Sequence, residues 1–212
     1  MSKKINIAII GLGQIGMYLY NELNLKKKEI LTKTGRSINI VAVSAKNRNK
    51  KRKIRINKKI FYQNPLKIIK EKNINILFEC IGKSDGISKK IVENAIKNKI
   101  HVITPNKALI SKHGDYLSML AEKNKVNLEF EASVGGGIPI LRTIKEGLAT
   151  NKISKVYGIL NGTCNYILSE METSKDTFFN VLKKAQKLGY AEPGNSKLDL
   201  NGHDALAKVK IL

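Results

Sequence analysis

The sequence predicts an α/β protein with a doubly wound parallel sheet, followed by part of an α+β domain. Strand-length apolar runs alternate with amphipathic helical segments over residues 3–133, and a glycine-rich turn joins the first strand to the first helix. Three consecutive glycines at 135–137 then interrupt the alternation. Alternating strands and helices favour a parallel sheet with right-handed crossovers. We therefore place one domain over residues 1–134 and a second, partial domain over 135–212.

Composition restricts the function classes. The chain has 212 residues with 39 Lys and Arg against 17 Asp and Glu, a net charge of +22. Although basic chains often bind nucleic acids, aromatic residues make up only 6% of the sequence, so base-stacking platforms are scarce and no specific nucleic-acid partner is predicted.

The apolar runs are too short to span a membrane, and the basic N-terminus lacks the apolar stretch of a secretory signal. Cys80 and Cys164 form neither a disulfide framework nor a metal motif, so we expect a cytoplasmic protein.

The first element is a strand, a tight turn and a helix within residues 3–23. The turn carries a GxGxxG pattern in the context that the pattern requires, a buried strand before it and an amphipathic run after it. Such a turn brings a pyrophosphate to the N-terminus of the helix, which indicates a Rossmann-type dinucleotide site, with a purely structural turn as the alternative. The cofactor-binding residues assigned here are Gly11, Gly13, Gln14, Ile15 and Gly16.

The second strand, 38–46, ends without the acidic residue that binds the ribose hydroxyls of NAD. Lys46 and Arg48 stand there instead, at the start of a cluster of cations that extends to Arg55. Cations at this place suit the 2′-phosphate of NADP, so NADP is preferred over NAD. A solvated basic loop is the alternative.

The remaining elements of the first domain continue the alternation. Cofactors bind at the carboxyl ends of parallel strands, so the loops "IGKSDG" and "TPNKAL" should line the cleft, which adds four cofactor contacts. For Lys107 in the second loop, the alternative is an ordinary residue in the first turn of a helix, but that place is unfavourable for a cation, which favours a functional role. The predicted helices are 65–72, 87–98 and 114–124, and the predicted strands are 74–82, 100–106 and 126–133. The added contacts are Gly82, Ser84, Thr104 and Pro105.

After the glycines, the pattern predicts a strand at 153–160 and a helix that starts with Thr163 as its N-cap. Cys164 follows at the helix N-terminus, where a thiol is a possible nucleophile, but a buried packing residue is the preferred interpretation. Another helix is predicted within 177–189.

The last segment, "HDALAKVKIL", predicts a helix in which Asp204 and Lys208 share one stripe. This helix is apolar nearly all round, so we expect it to be buried and the pair to lie in a cleft or core. An exposed ion pair is the alternative.

Together these segments resemble homoserine dehydrogenase. The resemblance covers essentially the whole chain, through "IAIIGLGQIG", "IGKSDG", "HVITPNKALI", "FEASVGGGIPI", "VYGILNGTCNYIL" and "LGYAEPGNSKLDLNGHDALAK". The last three stretches are specific to that family. It implies an NAD(P)-dependent enzyme that interconverts aspartate 4-semialdehyde and homoserine in threonine and methionine synthesis, and that self-associates when full length.

The resemblance also implies roles for individual residues. Lys208 is assigned as the proton donor and Lys107 as its partner, with the reverse assignment as the alternative. A sodium or potassium ion would be held by Glu131 and by the backbone of Val134, Gly136 and Ile138. The implied substrate contacts are Gly162, Thr163, Tyr190, Glu192, Asp199 and Asp204.

Three further expectations concern the length of the chain and alternative functions. The chain stops at "KVKIL" in mid-helix, without a capping glycine, which predicts that the intact enzyme is longer. A thiol-dependent aldehyde dehydrogenase that uses Cys164 is a chemical alternative. A basic nucleotide- or nucleic-acid-binding protein without catalysis is an alternative of another class.

Overall fold

Six parallel strands form the sheet of the first part of the chain. The computed structural model describes residues 4–52, 54–71, 73–191 and 200–212. The strand order is β3-β2-β1-β4-β5-β6, and every neighbouring pair is parallel. The order changes direction at β1, so the predicted doubly wound sheet is confirmed. The strands are β1 Lys4–Ile10, β2 Ser37–Ser44, β3 Phe61–Tyr62, β4 Ile76–Glu79, β5 His101–Ile103 and β6 Leu128–Glu129.

Helices connect most of the consecutive strands, as is usual for crossovers in a parallel sheet, whereas β2 is followed by a 3-10 turn, Lys58–Ile60, and then by β3. The second helix and the third strand were not predicted, because the helix buries no residue and the strand has only two residues. Among the described residues, no helix is long and apolar enough to cross a membrane. The helices of this part are α1 Gln14–Leu25, α2 Lys27–Thr34, α3 Pro65–Glu71, α4 Ile87–Lys97 and α5 Lys107–Asn124.

The core of the sheet lies at the centre of β1 and β2. Ile9 and Val43 are fully buried, and Tyr20 of α1 packs against them. Burying each such aliphatic side chain contributes about 1.5–3 kcal/mol, which holds the carboxyl ends of the strands in place. The glycine turn begins directly after this packed region.

The chain divides into two compact units, Met1–Ser133 and Val134–Leu212. The division lies next to the boundary expected from the sequence. In the second unit α7 and α8 pack together through Ile167, Val181 and Ala185. The described helices of this unit are α6 Ile140–Arg142, which continues as a π-helical turn at Thr143–Gly147, then α7 Gly162–Ser174, α8 Phe178–Lys187 and α9 His203–Ile211.

Two expectations for the second unit are wrong. Residues 153–160 do not form a strand, and Tyr157 is 86% exposed. A strand needs a hydrogen-bonding neighbour, and within 134–191 and 200–212 the structure contains no other strand. Helix α9 is also not buried all round, because Leu206 and Val209 are 53% and 48% exposed.

Candidate functional site

The glycine turn after β1 has the geometry that a pyrophosphate site needs. Gly11 has a φ of +96°, and a Cβ on it would lie 2.5 Å from the carbonyl oxygen of Cys80. A Cβ on Gly16 would lie 1.9 Å from the Gly11 oxygen, so α1 can approach the turn only with glycine there. Gly13, the N-cap of α1, has nothing within 4 Å of its Cβ position. Gly11 and Gly16 therefore allow close packing, whereas Gly13 leaves the N-terminus of α1 open.

A cavity of about 720 Å³ opens at this turn, where the strand order reverses. Gly11 and Gly13 line it together with Ser44 at the end of β2 and Ile81 after β4. This volume is typical of cofactor sites, and the position is the one at which doubly wound sheets bind nucleotides. Gln14, Ile15 and Gly16 form the first turn of α1 beside the cavity.

The far end of the cavity, at the carboxyl end of β2, is basic. The lining there includes the cations Lys46, Lys50 and Arg52, and Lys83 after β4 is a fourth cation of the cavity; the described lining contains no carboxylate. The sequence predicted Lys46 and Arg48 as cofactor contacts. It indicated Lys50 and Arg52 only as members of the basic cluster that follows the second strand.

Arg48 and Arg52 both organise the loop after β2. Arg48 lines a neighbouring cavity of about 600 Å³, and its guanidinium carbon lies 5.6 Å from the centre of the Phe61 ring. The guanidinium of Arg52 donates to the carbonyl oxygens of Asn47 at 2.7 Å and Lys50 at 3.1 Å. These bonds cross-link the basic loop, which keeps its cations beside the cleft.

The loop after β4 is tied to α5 by a surface cluster around Asp85. Lys112 Nζ donates to Asp85 Oδ2 at 2.7 Å, the Ser84 hydroxyl donates to the same oxygen at 2.6 Å, and His113 Nε2 lies 2.9 Å from Oδ1. The Lys112 ammonium, with the hydrogen bonds from Ser84 and His113, holds the pKa of Asp85 well below its usual range. The predicted contact Gly82 is in the same loop, while the cavity lining includes its neighbours Ile81 and Lys83.

A buried carboxylate lies beneath these loops, and sequence reasoning missed it. Glu79, the last residue of β4, is 0% exposed. Thr104, predicted as a cofactor contact, is also buried, and its hydroxyl donates to Glu79 Oε2 at 2.7 Å. Pro105 follows Thr104 in the half-buried loop that leads to Lys107, the first residue of α5. The only sequence signal was an acid ending an apolar strand.

The two cysteines differ in position. Burial, and then the charge of Glu79, raise the pKa of the Cys80 thiol to about 12, so it is protonated at neutral pH. Cys164 lies in the first turn of α7, and its N–H donates to Asn161 Oδ1 at 2.9 Å. Asn161 is therefore the N-cap of α7, and the prediction of Thr163 in that place is wrong. The hydroxyl of Thr163 donates instead to the carbonyl of Tyr190 at 2.6 Å.

In the second unit, four residues form a continuous chain of hydrogen bonds. Asn161 Nδ2 donates to Asp204 Oδ2 at 3.0 Å, and Lys208 Nζ lies 2.7 Å from the same oxygen. Lys208 also donates to the carbonyl oxygen of Leu160 at 2.6 Å. The side chains of Lys208 and Asp204 are 19% and 12% exposed, so the pair is largely shielded from water. The ammonium is thereby held in one place, as an acid–base group requires.

Other predicted substrate residues surround the start of α7. Gly162 and Thr163 form the first turn of this helix, whose N-terminus favours an anion. The Tyr190 ring stacks on Tyr166, with ring centres 4.6 Å apart. The predicted residues Glu192 and Asp199 lie outside the described residues.

The residues of the predicted cation site are divided between the two units. Glu131 begins a 3-10 turn at Glu131–Ser133 in the first unit. Val134, Gly136 and Ile138 belong to the second unit. The cation site stays a prediction.

Comparison with known proteins connects both units to one family. The model of the homoserine dehydrogenase NAD-binding domain matches residues 11–131, and the homoserine dehydrogenase model matches 139–212. The chain is 40% identical over 210 residues to homoserine dehydrogenase of Neisseria gonorrhoeae, covering 99% of this chain and 48% of that protein. The corresponding enzyme of Bacillus subtilis is 36% identical with the same coverage. The chain thus spans about half the length of these relatives.

Solved structures give the same result. The crystal structure of Staphylococcus aureus homoserine dehydrogenase at pH 7.5 matches with a TM-score of 0.85 and 36% identity, over 99% of this chain and 48% of that one. A hyperthermophilic archaeal homoserine dehydrogenase in complex with NADPH matches with a TM-score of 0.77 over 98% of this chain and 68% of that one. At 24% identity, this second similarity shows the fold alone.

Proposed function

The chain belongs to the homoserine dehydrogenase family, and we propose that it interconverts L-aspartate 4-semialdehyde and L-homoserine with NADP as hydride carrier. This reaction would serve threonine and methionine synthesis in the cytoplasm. The resemblance also implies that the intact protein self-associates.

The cavity of the first unit supports the choice of cofactor. The open N-terminus at Gly13 suits the pyrophosphate, and Lys46 and Lys50, together with Arg48 of the neighbouring cavity, suit a 2′-phosphate. An NAD site would instead need a carboxylate for the ribose hydroxyls, and the described lining has none. When bound, the dinucleotide supplies the hydride for reduction and accepts it in the reverse direction.

Lys208 is the proposed acid–base group. As the aldehyde carbon is reduced, its oxygen gains negative charge, and the Lys208 ammonium donates a proton to that oxygen. In the oxidation of homoserine the neutral amine takes the proton back. Asp204 and the Leu160 carbonyl orient this nitrogen through their hydrogen bonds. Lys107 is proposed to assist by stabilising the charge, with the reverse assignment as the alternative.

Opposite charges would bind the two ends of the substrate. The N–H groups of Gly162 and Thr163 at the start of α7 suit the substrate carboxylate. Glu192 and Asp199 are proposed to bind the substrate ammonium, as the resemblance implies, and Tyr190 borders the same region through Thr163.

A monovalent cation is the last part of the proposal. One carboxylate, Glu131, and carbonyl oxygens of Val134, Gly136 and Ile138 would bind sodium or potassium. Oxygen ligands of this kind suit hard cations. The support for this site is the family resemblance of the "EASVGGGI" segment.

The single observation that carries the proposed activity is the shielded Lys208 ammonium, held by Asp204 and Leu160 in a segment that matches the family. The test is to incubate the purified chain with L-homoserine and NADP and to follow the fluorescence of NADPH. We expect NADPH to form only when both compounds are present. NADPH binding without turnover would refute the proposed activity of this chain, and strongly salt-dependent RNA binding without turnover would support the non-catalytic alternative.

A further inference from the structure

Glu79 is a buried acid with no role in the mechanism above. It ends β4, and its side chain is fully inaccessible to solvent. Carboxylates are almost never fully buried unless partners compensate the loss of hydration. The identity of those partners therefore indicates what the buried charge does.

Four groups donate hydrogen bonds to the two oxygens of Glu79. Oε1 accepts from the Ile81 N–H at 2.8 Å and from the Ser88 hydroxyl at 3.1 Å. Oε2 accepts from the Thr104 hydroxyl at 2.7 Å and from Asn106 Nδ2 at 3.1 Å. The donors belong to the loop after β4, to the first turn of α4, to the residue that follows β5 and to the N-cap of α5. One carboxylate thus joins four segments at the carboxyl edge of the sheet.

Asn106 connects the hydrogen bonds of Glu79 to the start of α5, where Lys107 lies. It is the N-cap of α5, and its Oδ1 accepts the Leu109 N–H at 3.1 Å. Its Nδ2 donates both to Glu79 and, at 2.9 Å, to the carbonyl oxygen of Lys83. With both ends of the amide engaged, Asn106 cannot rotate without breaking three bonds. Lys107, the next residue, therefore starts α5 from a fixed point.

We propose that Glu79 is a positioning residue, which fixes the N-cap Asn106 and thereby places Lys107. This inference rests on the proposed function, because it gives Lys107 a part in the reaction. It makes the interior carboxylate an element of the active-site geometry that touches neither substrate nor cofactor.

The donors around Glu79 require a carboxylate at this position. The Thr104 hydroxyl accepts the Asn106 backbone N–H at 3.0 Å, so its own proton points to Glu79. The backbone N–H of Ile81 and the side-chain Nδ2 of Asn106 are also fixed donors. In Glu79→Gln, a nearly isosteric change, one of the two oxygens becomes an NH2 group. In one orientation of the amide this NH2 group faces the Ile81 N–H, and in the other it faces the Thr104 hydroxyl and Asn106 Nδ2, so a donor meets a donor in either case. One contact must then break, although the volume of the side chain is kept.

The test compares Glu79→Gln with Val92→Ala in the 212-residue chain. Val92 is fully buried in α4 and its side chain carries no hydrogen-bonding group, so its truncation controls for a general loss of stability. Amide hydrogen exchange is the first measurement, because it needs no turnover. We expect exchange at Leu109 to accelerate by roughly tenfold or more in Glu79→Gln, beyond any change in Val92→Ala. Equal exchange at Leu109 in the two variants would overturn the positioning role.

Turnover provides the second measurement. We expect kcat of Glu79→Gln to fall on the order of 10- to 100-fold, with the KM for NADP changed by less than about threefold, because a small displacement of a catalytic group costs this much. In a Lys107→Ala background the same substitution should cause almost no further loss, since Glu79 acts through Lys107. A full additional loss would overturn the inference. If the unmodified chain has no turnover, the proposed function fails, and the exchange measurement still decides the role of Glu79.

Discussion

Replacing Gly13 by alanine should separate cofactor binding from folding. Gly13 has φ −79° and ψ −158°, which alanine adopts without strain, and its Cβ would meet nothing within 4 Å. Alanine is a poorer N-cap than glycine, but it lowers the entropy of the unfolded chain. These two effects oppose each other, so the free energy of unfolding should change by less than about 1 kcal/mol.

Gly13 lines the cavity, so the added methyl group would take up space where a pyrophosphate is proposed to approach the N-terminus of α1. Losing one charge-assisted hydrogen bond to a phosphate oxygen costs about 1.5–3 kcal/mol, which is roughly a 10- to 100-fold rise in Kd for NADPH. The assay is a titration of NADPH fluorescence together with thermal unfolding.

Gly16→Ala is the contrasting variant. Its Cβ would lie 1.9 Å from the Gly11 oxygen, so this change should destabilise the fold by about 1–3 kcal/mol or more. Unchanged NADPH affinity in Gly13→Ala would refute the assignment of the glycine turn as a pyrophosphate site.

The remaining predictions concern charge and the thiol. Because Lys112 and His113 hold the pKa of Asp85 below its usual value, the carboxylate stabilises the fold above about pH 4, and this contribution is lost as the pH falls further. The melting temperature of Asp85→Asn should therefore approach that of the unmodified chain only in acid, and a constant difference at all pH values would contradict this. Lys46→Ala should weaken NADPH binding about tenfold and leave NADH binding nearly unchanged, whereas equal losses would rule out contact with the 2′-phosphate. Cys164→Ser should change turnover by less than about threefold, while abolished turnover would support the thiol mechanism.

Local patterns predicted the first unit well. The strand, the GxGxxG turn and the helix are contiguous in sequence, and the positions of Gly11, Gly13 and Gly16 follow from their spacing. The carboxylate network of Glu79 was not predictable, because Thr104 and Asn106 are 25 and 27 residues away in sequence. Only the folded sheet brings these residues together.

In the second unit, too, contacts between residues far apart in sequence were not predictable. The Asp204–Lys208 pair follows from helical spacing, but its partners Asn161 and Leu160 are 43 and 48 residues away. The capping assignment failed because Asn161 and Thr163, two residues apart, both suit an N-cap, and only the structure shows that Asn161 accepts from the helix. The predicted strand at 153–160 failed because apolar alternation does not supply a hydrogen-bonding neighbour.

The most direct test of the account is the reduction of aspartate 4-semialdehyde by NADPH in Lys208→Ala, with Lys210→Ala as the control. Lys210 is an exposed lysine on the same helix, so both variants remove one positive charge from α9. We predict that Lys208→Ala lowers the rate by about 100-fold or more with unchanged NADPH affinity, while Lys210→Ala reacts at the unmodified rate. Turnover of Lys208→Ala at the rate of the unmodified chain would contradict the central claim.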